Sequence, residues 1–194
     1  LSETGCFKTA VLTVNPLPAT ISGTTTTCLG ISQTLSSASA GGTWTSSNTG
    51  VATINAATGV VGTVAAGTST IRYSNAFGCY VETVFTVLAV PGDITGAFSI
   101  CDGATSTLTS SGTGPWTSSN TAVATVSGTG TSTTLTGIDA GTATITHTLA
   151  STGCYKTAVV TVNALPSAIT GGTSLCRGTT MLHPSAPAGG TWTS

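Results

Sequence analysis

Beyond a large stock of hydroxyls, this 194-residue chain offers little for chemistry: six cysteines, two histidines and five acidic residues. The cysteines occur in two recurring settings. One reads Ile, Ser or Thr, Gly, four residues, Cys, one residue, Gly, and covers Ile21–Gly30, Ile94–Gly103 and Ile169–Gly178, placing Cys28, Cys101 and Cys176. The other reads Gly-Cys-aromatic and places Cys6, Cys79 and Cys154 before Phe7, Tyr80 and Tyr155. Six cysteines in so regular a pattern imply an oxidising compartment and disulfides.

Two pairing rules fit the spacing. Within a repeat, Cys28 joins Cys79 and Cys101 joins Cys154, 51 and 53 residues apart, leaving Cys6 and Cys176 to partners in an interrupted repeat. Across each joint, Cys6–Cys28, Cys79–Cys101 and Cys154–Cys176 are each 22 apart. The second rule has to fold a strand back on the next one, because extended strands running onward separate the sulfurs by tens of ångströms at about 3.3 Å per residue. The within-repeat rule is therefore the expectation. A small sandwich gains from such a staple, and closing a loop of about 52 residues contributes on the order of 4 kcal/mol in the chain-entropy model. Metal binding is the rival reading. There is no Cys-x2-Cys pair and neither histidine recurs beside the cysteines, so no metal site and no cofactor are expected.

The remaining groups each have a bland reading. His147 stands where the other complete repeat has Tyr73, and alternation puts both on the face of Ile145 and Ile71, which suits packing better than catalysis. His183 lies in "MLHPSAP", a strand end before a turn. Asp93, Asp102 and Asp139 are scattered, one per joint at most, whereas a calcium site needs several oxygens together. The serines form no Gly-x-Ser-x-Gly elbow with acid and histidine partners. No enzyme is expected. Asn48 and Asn120 are followed by Thr-Gly and Thr-Ala, so neither starts an N-glycosylation signal.

The elements that hold these residues are themselves repeated. "GGTWTSSNTGVATI" at 41–54 returns as "GPWTSSNTAVATV" at 114–126 and begins again as "GGTWTS" at 189–194. Trp44, Trp116 and Trp192 are 72 and 76 residues apart, a period that signals a tandem array. Its phase divides the chain into the last strand of a preceding repeat (1–17), complete repeats at 18–90 and 91–164, and the opening of another (165–194). The last and first segments complement each other with about 30 residues missing between them, when aligned on Trp116 and Cys154. The expectation is a window on a longer repetitive polypeptide, with strand complementation between copies as the alternative.

"KTAVVTVN" (156–163), "TATITHTL" (142–149) and "STIRYS" (69–74) alternate small polar with apolar residues, and Thr, Val and Ile favour strands. Gly- and Asn-rich punctuation separates them, and no 3.6-residue period is sustained. Several short strands in about 73 residues predict an all-β chain of immunoglobulin-type sandwiches in tandem, each tryptophan anchoring a core between two sheets. "PLP" at 16–18, "VPG" at 90–92 and "LP" at 165–166 mark short joints. Only 9 residues are charged and the net charge is −1, so no basic surface invites nucleic acid. No apolar run reaches the roughly 18 residues of a membrane span.

"WTSSNTGVATINAATGVVGTVAAGTSTIRYS" (44–74) resembles the bacterial immunoglobulin-like group 2 repeat, with its Trp-x-Ser-x-Asn, Val-Ala-x-Val, Gly-x-Val and Ala-Gly-x-Ala-x-Ile pattern. The second repeat departs from it, with "SGTGTSTTLTGIDAG" in place of "NAATGVVGTVAAG". The added Cys-x-Gly and Gly-Cys-aromatic motifs resemble tandem repeats of very large secreted Bacteroidota surface proteins, including gliding and adhesion filaments. The resemblance implies a secreted, cell-surface protein: a stalk or filament whose partners are other repeats of the chain or neighbouring copies. The alternative is an adhesin binding glycans or cell surfaces directly. Aromatics are scarce, at 5%, and the tryptophans sit in core-like contexts rather than on a sugar-binding platform.

Overall fold

Small polar and apolar residues alternate along most of this chain, and the backbone follows the period of two. A computed structural model describes residues 8–168, Ser174 and residues 176–180; the expectations for Cys6, Trp192 and His183 lie outside the described residues. The described chain is all β and divides into two units, Leu1–Val90 and Pro91–Ser194.

The first unit contains β1 (Ile21–Ser22), β2 (Thr26–Cys28), β3 (Gln33–Thr34), β4 (Ser36–Ser37), β5 (Thr43–Ser46), β6 (Ala52–Ile54), β7 (Val60–Thr63), β8 (Gly67–Ser74) and β9 (Tyr80–Leu88). One sheet has the order β2-β9-β8-β5, and facing it are a three-stranded sheet β3-β7-β6 and the pair β1-β4. The second unit contains β10 (Thr95–Gly96), β11 (Ser99–Cys101), β12 (Thr105–Thr109), β13 (Trp116–Ser118), β14 (Ala124–Ser127), β15 (Ser132–Gly137), β16 (Gly141–Thr148) and β17 (Tyr155–Asn163). Its sheets are β11-β17-β16-β13 and β10-β12-β15-β14. These are two immunoglobulin-like sandwiches in tandem.

Alternation decides what lies between the sheets. In β8 Ser69, Ile71 and Tyr73 are buried, and in β16 Ala143, Ile145 and His147. The two cores correspond position by position: Leu35 and Leu108, Trp44 and Trp116, Ala52 and Ala124, Val61 and Leu135, Ile71 and Ile145, Phe85 and Val160. Each of the larger aliphatic side chains contributes about 1.5–3 kcal/mol by leaving water.

The opening of each repeat changes sheets. β1 pairs antiparallel with β4, and then β2 crosses over and pairs parallel with the end of β9 (Thr26↔Thr86, Cys28↔Leu88). In the second unit β10 pairs with β12 and β11 runs parallel to the end of β17 (Ser99↔Thr161, Cys101↔Asn163). This crossover fixes where the cysteines go.

Candidate functional site

The motif Trp-Thr-Ser-Ser-Asn builds a wall and a turn. Trp44 and Trp116 point into the cores with 5% and 6% of their surface exposed. After the tryptophan, Ser47 Oγ accepts the Thr70 amide at 3.0 Å and Ser119 Oγ accepts the Thr144 amide at 2.9 Å, extending the pairing of β5 with β8 and of β13 with β16 by one residue. The asparagines close the turn: Asn48 Oδ1 accepts the Gly50 amide and Asn120 Oδ1 the Ala122 amide, both at 3.1 Å. These side chains replace missing backbone partners, the ordinary work of Ser and Asn at turns. Ser47 and Ser119 are structural here.

Tyr73 and His147 both face the tryptophan of their own repeat. The Tyr73 ring lies 4.6 Å from Trp44 at 48°, and its hydroxyl accepts the Gly42 amide at 2.9 Å and donates to the Ser39 carbonyl. His147 stacks on Trp116 at 4.2 Å and 9°, fully buried, with neither ring nitrogen hydrogen-bonded. Burial pushes its pKa below 6.5, and the nearby Gly130 backbone opposes that shift without reversing it. A buried neutral imidazole flat on an indole acts as a packing aromatic.

Beside Trp44 the first repeat has an open cleft of about 510 Å³, lined by Ser36, Ser37 and Thr58 together with Trp44 and Tyr73. In the second repeat the β14–β15 hairpin reaches over the tryptophan. Trp116 Nε1 donates to the Gly130 carbonyl at 3.2 Å, and Gly130 donates back to Gly114 at 3.0 Å. The difference between these loops is visible in the sequence, with "SGTGTSTTLTGIDAG" in place of "NAATGVVGTVAAG"; the cleft is not.

Charges are sparse, and two surface ion pairs form among the described residues. Arg72 meets Glu82 at 2.8 Å and lies over the Tyr80 ring, while Lys156 meets Asp93 at 2.9 Å. Asp139 accepts the amide of Ala140. Among the described residues no three His, Cys, Asp or Glu side chains gather to hold a metal.

The cysteines correct the expected pairing. Cys28 and Cys154 are disulfide-bonded, whereas Cys79, Cys101 and Cys176 are free thiols. Cys28–Cys79 and Cys101–Cys154 are therefore not formed. The reason is the crossover. Cys28 sits beside Leu88 at the end of β9, and Cys79 immediately precedes its start. Nine residues of strand separate them by roughly 30 Å, against less than about 7 Å between the Cα atoms of a cystine. Cys101 beside Asn163 and Cys154 before Tyr155 repeat the arrangement. The joint-spanning alternative also fails for Cys79–Cys101 and Cys154–Cys176, since each pair includes a free thiol.

The fold and these cores define a class, the immunoglobulin-like β-sandwich built from short antiparallel strands with a parallel first-to-last pairing. Residues 86–162 match the family described as bacterial Ig-like domain (group 2). Among solved structures, the chain is similar to domains 4 and 5 of the S-layer protein SbsC, with 24% identity over 69% of this chain and 82% of that one and a TM-score of 0.28. It is similar to a C-terminal 282-residue fragment of intimin, solved in complex with the intimin-binding domain of the translocated intimin receptor. There the identity is 17% over 76% of this chain and 65% of that fragment, with a TM-score of 0.45. Murine CEACAM1b is a further likeness, at 10% identity, 75% and 100% coverage and a TM-score of 0.32. No curated protein matches the chain in sequence.

Proposed function

We propose that this chain is a structural repeat region of an extracellular filament or cell-surface stalk, in which tandem sandwiches supply length and stiffness. The observation that carries the reading is the course of the chain through each sandwich. In the first repeat the incoming segment lies at the start of the last strand, where Asn75 Nδ2 donates to the Pro16 carbonyl and the Cys79 thiol to the Asn15 carbonyl. The chain leaves at the other end of that strand, after Leu88. In the second repeat the Asp93–Lys156 ion pair holds the incoming segment at the start of β17, and the chain leaves after Asn163. Each repeat of about 73 residues thus carries the chain from pole to pole, advancing it by about 30 Å along a nine-residue strand. Burial of the tryptophans, the scarcity of charge and the bonded cysteines support an extracellular, non-enzymatic role. No helix among the described residues is long and apolar enough to cross a membrane.

The outer segments fit the same array. Lys8–Asn15 repeats Lys156–Asn163 with one change, Leu12 for Val160. In β17 Val160 and Val162 are 0% and 2% exposed, while Leu12 and Val14 are 87% and 84% exposed. Residues 1–17 are read as the last strand of a preceding repeat, and residues 165–194 as the opening of a further one. The partners are other repeats, in the same chain or in neighbouring copies.

The cleft beside Trp44 favours a second reading, an adhesin in which hydroxyl-lined loops hold a glycan or cell surface. Two measurements separate the readings. Under the structural reading, pulling the chemically reduced chain by its ends gives two unfolding steps, each releasing about 25 nm from about 73 residues at roughly 3.4 Å apiece, and a glycan array shows no saturable binding. Saturable binding abolished by filling the cleft, for example with Ser37→Trp, overturns it in favour of the adhesin.

A further inference from the structure

One place in the sandwich is filled in the second repeat and open in the first. In the second, the turn between β14 and β15 lays its own backbone beside Trp116, and three hydrogen bonds hold it there. The Gly130 carbonyl accepts the indole Nε1–H at 3.2 Å, the Gly130 amide donates to the Gly114 carbonyl at 3.0 Å, and the adjacent Thr131 carbonyl accepts the Ser110 amide at 2.9 Å. The counterparts in the first repeat are Trp44, Gly42 and Ser37, and all three line the cleft. Among the described residues no acceptor stands on Trp44 Nε1. Leu35 donates its amide to the Gly59 carbonyl at 2.9 Å. Alternation along the strand turns the Ser37 amide to the same side, beyond the point where β7 begins at Val60. The cleft thus keeps the two donors that meet consecutive carbonyls in the second repeat, without the carbonyls.

We propose that the cleft beside Trp44 is a peptide-binding site, taking a short uncharged turn of the Thr-Gly-Thr type from another polypeptide. The glycine of that turn accepts the Trp44 Nε1–H on its carbonyl and gives its amide to the Gly42 carbonyl. The carbonyl of the following residue accepts the Ser37 amide. Successive carbonyls at this spacing belong to a polypeptide backbone. A sugar instead needs hydroxyl partners, and several of those around the cleft are engaged internally. Ser36 Oγ lies 2.9 Å from Ser22 Oγ, Ser37 Oγ donates to the Ala19 carbonyl at 2.9 Å, and the Tyr73 hydroxyl is held between Gly42 and Ser39. None of the lining residues is charged, which suits a neutral occupant. The volume falls within the range of about 300–1,000 Å³ common to small-ligand sites. Glycine is specified by conformation: Gly130 has a φ of 95°, where a Cβ crowds the following carbonyl. This inference stands apart from the filament reading, and either can fail without the other.

Titration of the full chain, followed through its indole N–H resonances by NMR, tests the proposal. The probe is the peptide Ser-Gly-Thr-Gly-Thr-Ser, blocked at both ends, which copies residues 127–132. The expected result is a saturable downfield shift of the Trp44 indole N–H and of the Ser37 amide. The Trp116 indole N–H, already bonded to Gly130, stays in place. A second peptide carries alanine at the position of Gly130. It is expected to bind about 5- to 30-fold more weakly, the cost of placing a Cβ in a left-handed conformation. A third arm adds neutral mono- and oligosaccharides, which should leave the Trp44 resonance unmoved. No shift with the first peptide overturns the proposal. Equal binding of the alanine peptide overturns the assigned geometry. A saturable shift with a sugar and none with the peptide overturns it in favour of a glycan site.

Discussion

The two repeats share a plan and differ at the wall beside their tryptophans. In the first, the hairpin after β6 is tight: Asn55 Oδ1 caps the amides of Ala57 and Thr58, and Gly59 turns back with a φ of 72°. Only Gln33 and Thr34 pair with β7 before the strand gives way at Leu35. In the second, two extra residues between Ala124 and Leu135 lengthen the hairpin, and β15 pairs with all five residues of β12, Thr105 to Thr109. The short hairpin leaves Trp44 beside an open cleft, and the long one hydrogen-bonds Trp116 through Gly130. The facing aromatic compensates. Where the hairpin does not reach the indole, Tyr73 ties its own hydroxyl to Gly42 and Ser39. Where it does, His147 stacks flat and makes no bond. Both solutions brace the same stack, once from the ring opposite the indole and once from the indole itself.

The largest effect that probes this comparison is loss of the tryptophan. Trp44→Ala and Trp116→Ala each remove a buried indole and should cost about 3–5 kcal/mol. Trp116→Ala is expected at the upper end, because it also strands the Gly130 carbonyl. Denaturant unfolding of the two variants gives the order. A larger loss at Trp44 would mean that the hairpin contributes nothing to bracing the second repeat.

Much of this was legible in the sequence. Alternation in "TATITHTL" and "KTAVVTVN" located β16 and β17, the 72-residue step set Trp44 and Trp116 in corresponding places, and the exchange of Tyr73 for His147 pointed to packing. The pairing of the cysteines was not legible. Spacing along the chain says how large a loop a bond would close, whereas the outcome depends on which end of the last strand each cysteine meets. That follows from the parallel pairing of β2 with β9, and a three-residue strand such as "TTC" carries no mark of its neighbour's direction. The signal that was available is modest: Gly-Cys-aromatic opens a long strand, so Cys79 must lie a full strand length from Leu88. The cleft was hidden for a similar reason. It arises from two residues of hairpin length that change how far β3 and β7 pair, two residues against five in β12 and β15, and nothing in its lining residues differs from other loops.

The next effect separates the two braces. Tyr73→Phe leaves the Gly42 amide without the hydroxyl it donates to and the Ser39 carbonyl without its donor, and should cost about 1–3 kcal/mol. His147→Phe strands nothing, since neither ring nitrogen is bonded, and is expected to be neutral or stabilising. The pair also differs in pH response. Burial lowers the folded pKa of His147 below 6.5, so the unfolded chain binds the proton more readily than the folded one. Stability of the second repeat is then whole above pH 6.5 and is lost as pH falls from there towards the lower folded value. The first repeat, with tyrosine in that place, has no such loss, and His147→Phe should abolish the slope in the second. Equal slopes for both repeats between pH 7 and 5 would remove His147 as the cause.

The smallest effect lies on the outer face of the same sheets. Arg72 pairs across strands with Glu82 and covers Tyr80; the corresponding positions in the second repeat are Thr146 and Thr157, directly opposed in the same register. The Arg72 and Glu82 side chains are 44% and 40% exposed, where water and salt screen the attraction and holding two long side chains costs entropy. Both Arg72 contacts, through Nε and Nη2, go to the single oxygen Oε1, short of the bidentate geometry that makes such pairs strong. A double-mutant cycle through Arg72→Thr and Glu82→Thr should therefore give a coupling of about 0.5 kcal/mol, falling further in 1 M salt. The doubly substituted repeat, carrying the threonine pair of its neighbour, should match the parent within about 0.5 kcal/mol, because opposed threonines are themselves favourable on a strand face. A coupling above 2 kcal/mol would show that this charge pair, and not only the core, distinguishes the stability of the first repeat from that of the second.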